Sequence, residues 1–158
     1  MRGRNTGTRI GTAIATSLLM LATTVGGAQG ARPALIEIEI DFDTDPPSEH
    51  FTTNTALLCP EGDVISDFHR GAGNFAAAGT FHLNKLLVCD DGSGSFVITV
   101  DAASNFVVGD GTTGGWSVVP GSGVGDYVGL RGGGHVVGVN QPGPEIELID
   151  YYSGHVAL

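Results

Sequence analysis

Glycine recurs at short intervals between residues 123 and 132, where the chain reads Gly-Val-Gly-Asp-Tyr-Val-Gly-Leu-Arg-Gly. This spacing predicts a turn that leads into a strand, because glycine adopts backbone conformations that other residues avoid. Side chains alternate between the faces of a strand, so Tyr127, Gly129 and Arg131 are expected on one face. The segment therefore constrains the fold more than it indicates a chemistry.

The chain around this segment repeats the period of two that is typical of half-buried strands. The pattern is clearest where Ile36, Ile38, Ile40 and Phe42 alternate with acidic residues. Turn sequences rich in Gly, Asp and Pro separate most of the apolar runs, and residues 90–94 and 110–114 are predicted as hairpin loops. About eight or nine antiparallel strands are expected, the later ones at 63–70, 79–89, 95–101, 105–109, 115–119, 126–131, 135–140 and 146–158.

Many short strands with regular turns are typical of a β-sandwich or a closed β-barrel. Of the 26 glycines, 12 lie between Gly109 and Gly138, inside the predicted strands as well as in turns. Glycine permits the bends and close backbone approaches that closing a small barrel requires. The sequence therefore predicts an all-β chain that forms a single antiparallel barrel of about eight strands, with a β-sandwich as the alternative.

The first 30 residues have the order of a secretory signal peptide. Arg2, Arg4 and Arg9 precede an apolar run over 10–25, and small residues follow it. The run is shorter than the roughly 20 apolar residues that a membrane span needs. We expect cleavage near residues 28–31, a barrel domain at 31–158, and secretion of the product.

Removal of this leader makes the chain strongly acidic. Four of the seven Lys and Arg remain with all 17 Asp and Glu, for a net charge of −13. Such a surface repels phosphate backbones and anionic lipid head groups. Nucleic acid and membrane partners are therefore disfavoured, whereas a small apolar molecule is compatible with the composition.

Cys59 and Cys89 both lie in the part of the chain that is expected to be exported. An oxidising compartment favours a disulfide between an isolated pair of cysteines. Closing a loop of this length is worth roughly 3.5 to 4 kcal/mol in the chain-entropy treatment. A redox centre is disfavoured because the cysteines are far apart in sequence and no neighbouring cation would lower their pKa.

The glycine-spaced segment is similar to the signature of dirigent proteins and the related allene oxide cyclases, whose barrels carry a Gly-x-Gly-x-aromatic-x-Gly-x-Arg-Gly turn and strand. Residues 116–120 resemble the strand that enters this turn, and residues 146–158 resemble the family's last strand. Most of the chain also resembles small secreted bacterial β-proteins of no known activity. The residues that match the signature are Gly123, Gly125, Tyr127, Gly129, Arg131 and Gly132.

The resemblance implies an apolar lumen that holds a reactive small molecule while a few polar groups direct its chemistry. On this basis Tyr127, Arg131 and Trp116 are the candidate ligand-binding residues. Arg131 has an alternative role, an ion pair with a carboxylate of the acidic strand that stabilises the sheet. No catalytic residue is assigned, because the N-terminal half carries no matching motif.

Three interpretations apply to the acidic residues of the first predicted strand, which are Glu37, Glu39, Asp41, Asp43 and Asp45. Carboxylates on one face are about 6.5 to 7 Å apart, a separation found in inverting glycosidases. An EF-hand calcium loop is excluded, because Pro46 and Thr52 occupy the positions of its glycine and its bidentate glutamate, and only a loose cation site is left of this interpretation. We favour the third interpretation, a solvated face of an edge strand.

The five histidines show no HxH or HExxH spacing, so no metal or other cofactor is expected. The single lysine, Lys85, lies among apolar residues in the middle of a strand, where its stem can extend along the surface to keep the ammonium in water. Three functions stay open, ranked here from first to third. They are a secreted barrel that binds an apolar molecule or serves a structural role, a dirigent-like or cyclase-like enzyme, and a carboxylate-based glycan hydrolase.

Overall fold

The structure, a computed structural model, describes residues 33–44, 47–74, 78–105, 111–141 and 147–158. These ranges contain β-strands and no helix. The strands are β1 (Ala34–Thr44), β2 (Pro47–Thr53), β3 (Glu61–Asn74), β4 (Ala78–Cys89), β5 (Gly94–Asn105), β6 (Gly111–Val118), β7 (Val124–Gly125), β8 (Arg131–Gln141) and β9 (Glu147–Ala157).

Eight of these strands form a closed antiparallel barrel. The order around the ring is β1, β2, β3, β4, β5, β6, β8 and β9, and β9 pairs again with β1. The β4–β5 pairing, from Ala78 opposite Asn105 to Val88 opposite Ser95, closes the ring. The two-residue β7 pairs with the first residues of β5. The predicted single barrel of about eight strands is therefore confirmed.

Alternation of side chains along β1 shows how the sequence specifies inside and outside. Ile36, Ile38 and Ile40 are buried in the barrel, whereas Glu37 and Asp41 are exposed. Full burial of each such isoleucine stabilises the fold by about 1.5 to 3 kcal/mol. The largest other side chains buried in this core come from β2, β4, β5, β8 and β9, namely Phe51, Leu87, Phe96, Ile98, Val100, Val136, Tyr152 and Val156.

The acidic face of β1 does not belong to an edge strand, and this expectation was wrong. β1 pairs with β2 through Ile38–Thr44 and with β9 through Ala34–Phe42, so both of its edges are hydrogen-bonded. A closed ring has no edge for an acidic strand to protect. The acidic residues of β1 that are described lie on the outer wall of the barrel.

Strand β2 was not predicted from the sequence. It begins at Pro47, and proline is tolerated at the first position of a strand because it lacks only an N–H donor there. Phe51 is the buried apolar side chain of this strand, and it lies opposite Ile40 of β1. A single apolar residue gives no period to detect, so only its partners identify β2 as a strand.

The glycine-spaced segment forms turns where a strand was predicted over 126–131. The N–H of Leu130 donates to the carbonyl of Tyr127 at 3.0 Å, and Gly125 and Gly129 have φ values of 67° and 89°. A spacing of three brings Tyr127 and Leu130 to the same side, and both are buried. Strand β8 begins only at Arg131, so the prediction that Tyr127 and Arg131 share one strand face was wrong.

Of the two predicted hairpin loops, one is present and most of the other belongs to a strand. Residues 90–94 join β4 to β5 as predicted, with Gly92 at a φ of 74°. Residues 111–114 were predicted as part of a loop, but they extend β6, and the register places Gly111 opposite Asn105. Of the strand predicted at 105–109, Asn105 is the last residue of β5, and residues 106–109 lie outside the described residues.

Cys59 and Cys89 form the predicted disulfide, with their Cα atoms 5.9 Å apart. The bridge fastens the segment before β3 to the end of β4 and forms part of the buried core. The predicted signal peptide lies outside the described residues. In the part of the chain that is described, no helix has the length and apolar character of a transmembrane span.

Candidate functional site

The two ends of the barrel differ in how they are filled. Phe96, Tyr127, Leu130 and the disulfide pack one end. At the other end, the described residues surround a cavity of about 510 Å³ that opens to solvent. Its lining combines apolar Ile40, Phe42, Phe68, Phe81, Leu83 and Leu148 with polar Glu49, Ser66, Lys85, Ser104, Thr112 and Asp150.

Lys85 lies inside the barrel because of its position in β4. It shares the inward register with Leu83 and Leu87, and it is only 6% exposed. The expectation that its ammonium reaches water along the outer surface was therefore wrong. Its stem packs among apolar side chains while its charged end contacts other polar groups within the cavity wall.

Those polar groups are Glu49 of β2 and Ser66 of β3. The ammonium of Lys85 donates to the carboxylate of Glu49 and, at 3.0 Å, to the hydroxyl of Ser66. Ser66 in turn donates to the same oxygen of Glu49 at 2.8 Å. The three side chains thus form a closed triangle, and in an interior of low dielectric constant such a network fixes its members in place.

Asp150 is the second acidic group of the cavity, and it enters from β9. Its Oδ2 accepts a hydrogen bond from the hydroxyl of Tyr152 at 3.2 Å. Its Oδ1 is buried and has no hydrogen-bond partner among the described residues. Burial raises the pKa of Asp150 above its ordinary value of 3.8, although the charge of Lys85 and the bond from Tyr152 oppose the shift. Burial thus shifts this carboxyl towards its neutral form relative to a solvated aspartate.

Tyr152 is the hydrogen-bond donor to this acid. Burial is the main reason that the pKa of Tyr152 lies well above 10, and the neighbouring Asp150 adds to the shift. Tyr152 is therefore a neutral hydroxyl that donates a hydrogen bond and does not supply a charge.

A glycine in β8 makes room for the acid. A Cβ atom at Gly138 would lie 2.3 Å from Oδ1 of Asp150 and 2.9 Å from Cβ of Thr112. Both distances are shorter than real contacts of a Cβ atom, so any larger residue at 138 would displace one of these side chains. Asp150 can occupy its position in the wall because the residue at 138 is a glycine, which has no Cβ atom.

The candidates named from the sequence lie away from this cavity. The Tyr127 hydroxyl accepts a bond from the N–H of Cys59 at 2.9 Å, at the filled end. Trp116 is buried, and its Nε1–H donates to the carbonyl of Ser153 at 3.2 Å. Arg131 is exposed, and none of the ion pairs found among the described residues includes it. None of the three candidates lines the cavity.

The acidic outer face is described in part. The side-chain amide of Asn54 donates to the carboxylate of Glu37 at 2.7 Å, and Asp41 is exposed. The side chains of Asp43 and Asp45 lie outside the described residues. Across the described ranges, no group of three or more His, Cys, Asp and Glu side chains is arranged to hold a metal ion.

The positions of the polar cavity residues within the strand pattern mark them in the sequence. Lys85 interrupts the inward register of Leu83 and Leu87, and Asp150 interrupts that of Leu148 and Tyr152. A charged residue at an inward position of a strand is unfavourable unless it is paired, so it marks a candidate site.

Comparison of the chain with protein-family models, curated proteins and solved structures finds no match.

Proposed function

We propose that this protein binds a small, mostly apolar molecule in the open end of its barrel. The observation that carries the proposal is the cavity of about 510 Å³, whose apolar wall surrounds a few fixed polar groups. Binding sites for small molecules typically combine an apolar lining with a small number of oriented polar groups.

The polar groups indicate a ligand without net charge. Lys85 and Glu49 neutralise each other, and burial favours the uncharged form of Asp150. An anionic ligand would meet the carboxylate of Glu49 without a free cation to compensate it. A neutral molecule suits an apolar wall whose charged groups already compensate each other.

Two further features support a role outside the cell. The Cys59–Cys89 disulfide is consistent with an extracellular protein, because such bridges persist in oxidising compartments. The leader-like order of residues 1–30 supports export.

The similarity of residues 123–132 to the dirigent and allene oxide cyclase signature supports a barrel of the same general kind.

The neutral fluorescent probe N-phenyl-1-naphthylamine tests this function, since its emission rises in apolar surroundings. Leu83→Trp would fill the cavity from β4, and we expect it to weaken probe binding by about tenfold or more. Leu86→Trp is the matched control, because Leu86 lies on the same strand and outside the cavity lining. Equal probe affinity in wild type and both variants would contradict binding in the cavity.

A second candidate function, a dirigent-like or cyclase-like enzyme, is favoured by Asp150. Burial raises the pKa of Asp150, and a raised pKa is the direction that a proton donor requires. Mass spectrometry of molecules that copurify with wild type and with Asp150→Asn separates the two functions. An enzyme would accumulate an unreacted molecule in the variant, whereas a barrel without turnover would carry the same molecule in both.

A further inference from the structure

The chain of 158 residues contains a single lysine, and this lysine lies in the cavity wall. Lysine is among the residues that are almost never fully buried, because its ammonium loses hydration there. An isolated lysine on the surface would add solubility, but Lys85 is only 6% exposed. Its position therefore points to a role for a primary amine inside the barrel.

An amine that reacts with a carbonyl group needs three neighbours. It needs a base that takes a proton from its ammonium, an acid that protonates the departing oxygen, and an apolar environment that holds the carbonyl compound. Glu49 accepts a hydrogen bond directly from the Lys85 ammonium, and Ser66 fixes the orientation of both groups. Asp150 lines the same cavity and is biased by burial towards its neutral form.

We propose that Lys85 forms a reversible imine with an apolar aldehyde or ketone held in the cavity, an inference that rests on the proposed binding function. Glu49 takes one proton from the ammonium, and the freed amine forms a C–N bond to the carbonyl carbon. As the C=O π bond breaks, its oxygen takes a proton from the attacking nitrogen and becomes the hydroxyl of a carbinolamine, which leaves one proton on that nitrogen. Proton transfer from Asp150 then lets this hydroxyl leave as water, and the nitrogen proton returns the acid to its neutral form.

The step balances without an oxidant or a reductant. The ammonium begins with three protons, of which two leave in the water molecule and one remains on the nitrogen as an iminium after Glu49 returns it. The iminium keeps the single positive charge of the ammonium, so the charge opposite Glu49 is conserved. The apolar part of the carbonyl compound would lie against Leu83, Phe42 and Leu148, which line the same cavity.

Trapping with sodium cyanoborohydride tests the proposal, because this reagent reduces an imine to a stable secondary amine. The exported protein is incubated with decanal and the reductant, and peptide mapping by mass spectrometry locates the adduct. Wild type has two kinds of primary amine, Lys85 and its N-terminus. The variant Arg131→Lys adds an exposed lysine at the start of β8 as an internal reference.

We expect trapping at Lys85 at a decanal concentration about tenfold lower than at position 131, because the cavity concentrates the apolar aldehyde. This preference should disappear in urea, where both lysines are exposed. Lys85→Arg keeps a positive charge opposite Glu49 and should show no adduct from β4. Equal trapping at positions 85 and 131 in the folded protein, or an adduct at the N-terminus alone, would overturn the proposal.

Decanol distinguishes this failure from failure of the proposed function, because it has the apolar chain of decanal and no carbonyl group. Displacement of N-phenyl-1-naphthylamine by decanol without any adduct at Lys85 would refute the imine and support the binding function. Absence of probe displacement by both decanol and decanal would refute both proposals for this ligand class.

Discussion

The hydroxyl of Tyr127 accepts a hydrogen bond from the backbone N–H of Cys59 at 2.9 Å, although the two residues are 68 positions apart in the sequence. The same hydroxyl lies 3.0 Å from the Oγ of Ser93 and 3.4 Å from the Sγ of Cys89. The Tyr127 ring packs at a tilt against Phe96, with 5.2 Å between centroids. The glycine-spaced turn thus fixes the disulfide and fills one end of the barrel.

Tyr127→Phe should destabilise the protein by about 1 to 3 kcal/mol, because it leaves the buried N–H of Cys59 without its partner. Urea unfolding followed by fluorescence measures the change. Tyr151→Phe is the matched control, since Tyr151 is 42% exposed on the outer wall. A loss of stability as large for Tyr151→Phe as for Tyr127→Phe would contradict the assigned role.

Reduction of the disulfide should lower the free energy of unfolding by roughly 3.5 to 4 kcal/mol, because the unfolded chain regains the entropy of an open loop. Parallel urea titrations with and without a thiol reductant measure this difference. The double variant Cys59→Ala/Cys89→Ala should be less stable than oxidised wild type, and the reductant should not change its unfolding. A wild-type midpoint that the reductant leaves unchanged, with reduction confirmed by mass, would refute the prediction.

Gly138→Ala should displace Asp150, because the new methyl group would lie 2.3 Å from its Oδ1. We expect weaker binding of N-phenyl-1-naphthylamine, by about fivefold or more, together with a loss of about 1 to 3 kcal/mol in stability. Gly115→Ala is the control, since the nearest atom to its Cβ would be 3.7 Å away, an ordinary contact. Identical probe affinity in the two variants would argue against the proposed place of Asp150 in the site.

Lys85→Met should destabilise the protein by about 3 to 5 kcal/mol, because it leaves the carboxylate of Glu49 in the barrel wall without its cation. The double variant Lys85→Met/Glu49→Leu should recover much of this loss, since it replaces the pair with apolar side chains. Urea unfolding of the two variants and wild type provides the comparison. Stability that falls further in the double variant would show that the ion pair itself stabilises the fold.

The pH dependence of stability should report Asp150. Burial raises the pKa of Asp150 in the folded protein above its ordinary value of 3.8, which it regains on unfolding. A raised pKa contributes stability below the unfolded value, and this contribution is lost as pH rises through the folded value. Asp150→Asn cannot ionise, so its stability relative to wild type should increase as pH rises from below 3.8 through the raised pKa of the folded protein. A relative stability that does not change with pH would contradict a raised pKa of Asp150.

The barrel could be predicted because its information is local. The alternation of Ile36, Ile38 and Ile40 with acidic residues specifies which side of β1 faces inward, whatever its neighbours are. Glycine-containing loops such as residues 90–94 mark where the chain reverses. The same local information could not identify β2. Its sequence has no apolar alternation, and only its pairing with neighbouring strands defines it as a strand.

The cavity could not be predicted because its polar groups meet only after closure. Glu49 and Lys85 are 36 positions apart, and the pair depends on the register of β2 with β3 and of β3 with β4. The resemblance suggested a place for Tyr127 in the lumen, and a strand was predicted at 126–131. The segment instead forms turns with positive φ angles at Gly125 and Gly129, and the Tyr127 hydroxyl lies beside the disulfide.

The short pairing of β2 with β3 bears on how a guest molecule of the proposed kind would exchange with solvent. Among the described residues this pairing joins only His50–Thr52 to Glu61–Asp63, so the rest of β3 pairs with β4 alone. A guest of the cavity would enter and leave through its open mouth, past side chains that include the partly exposed Phe42 and Phe68. Its residence time would depend on how readily these rings move aside and on how tightly the interior holds it.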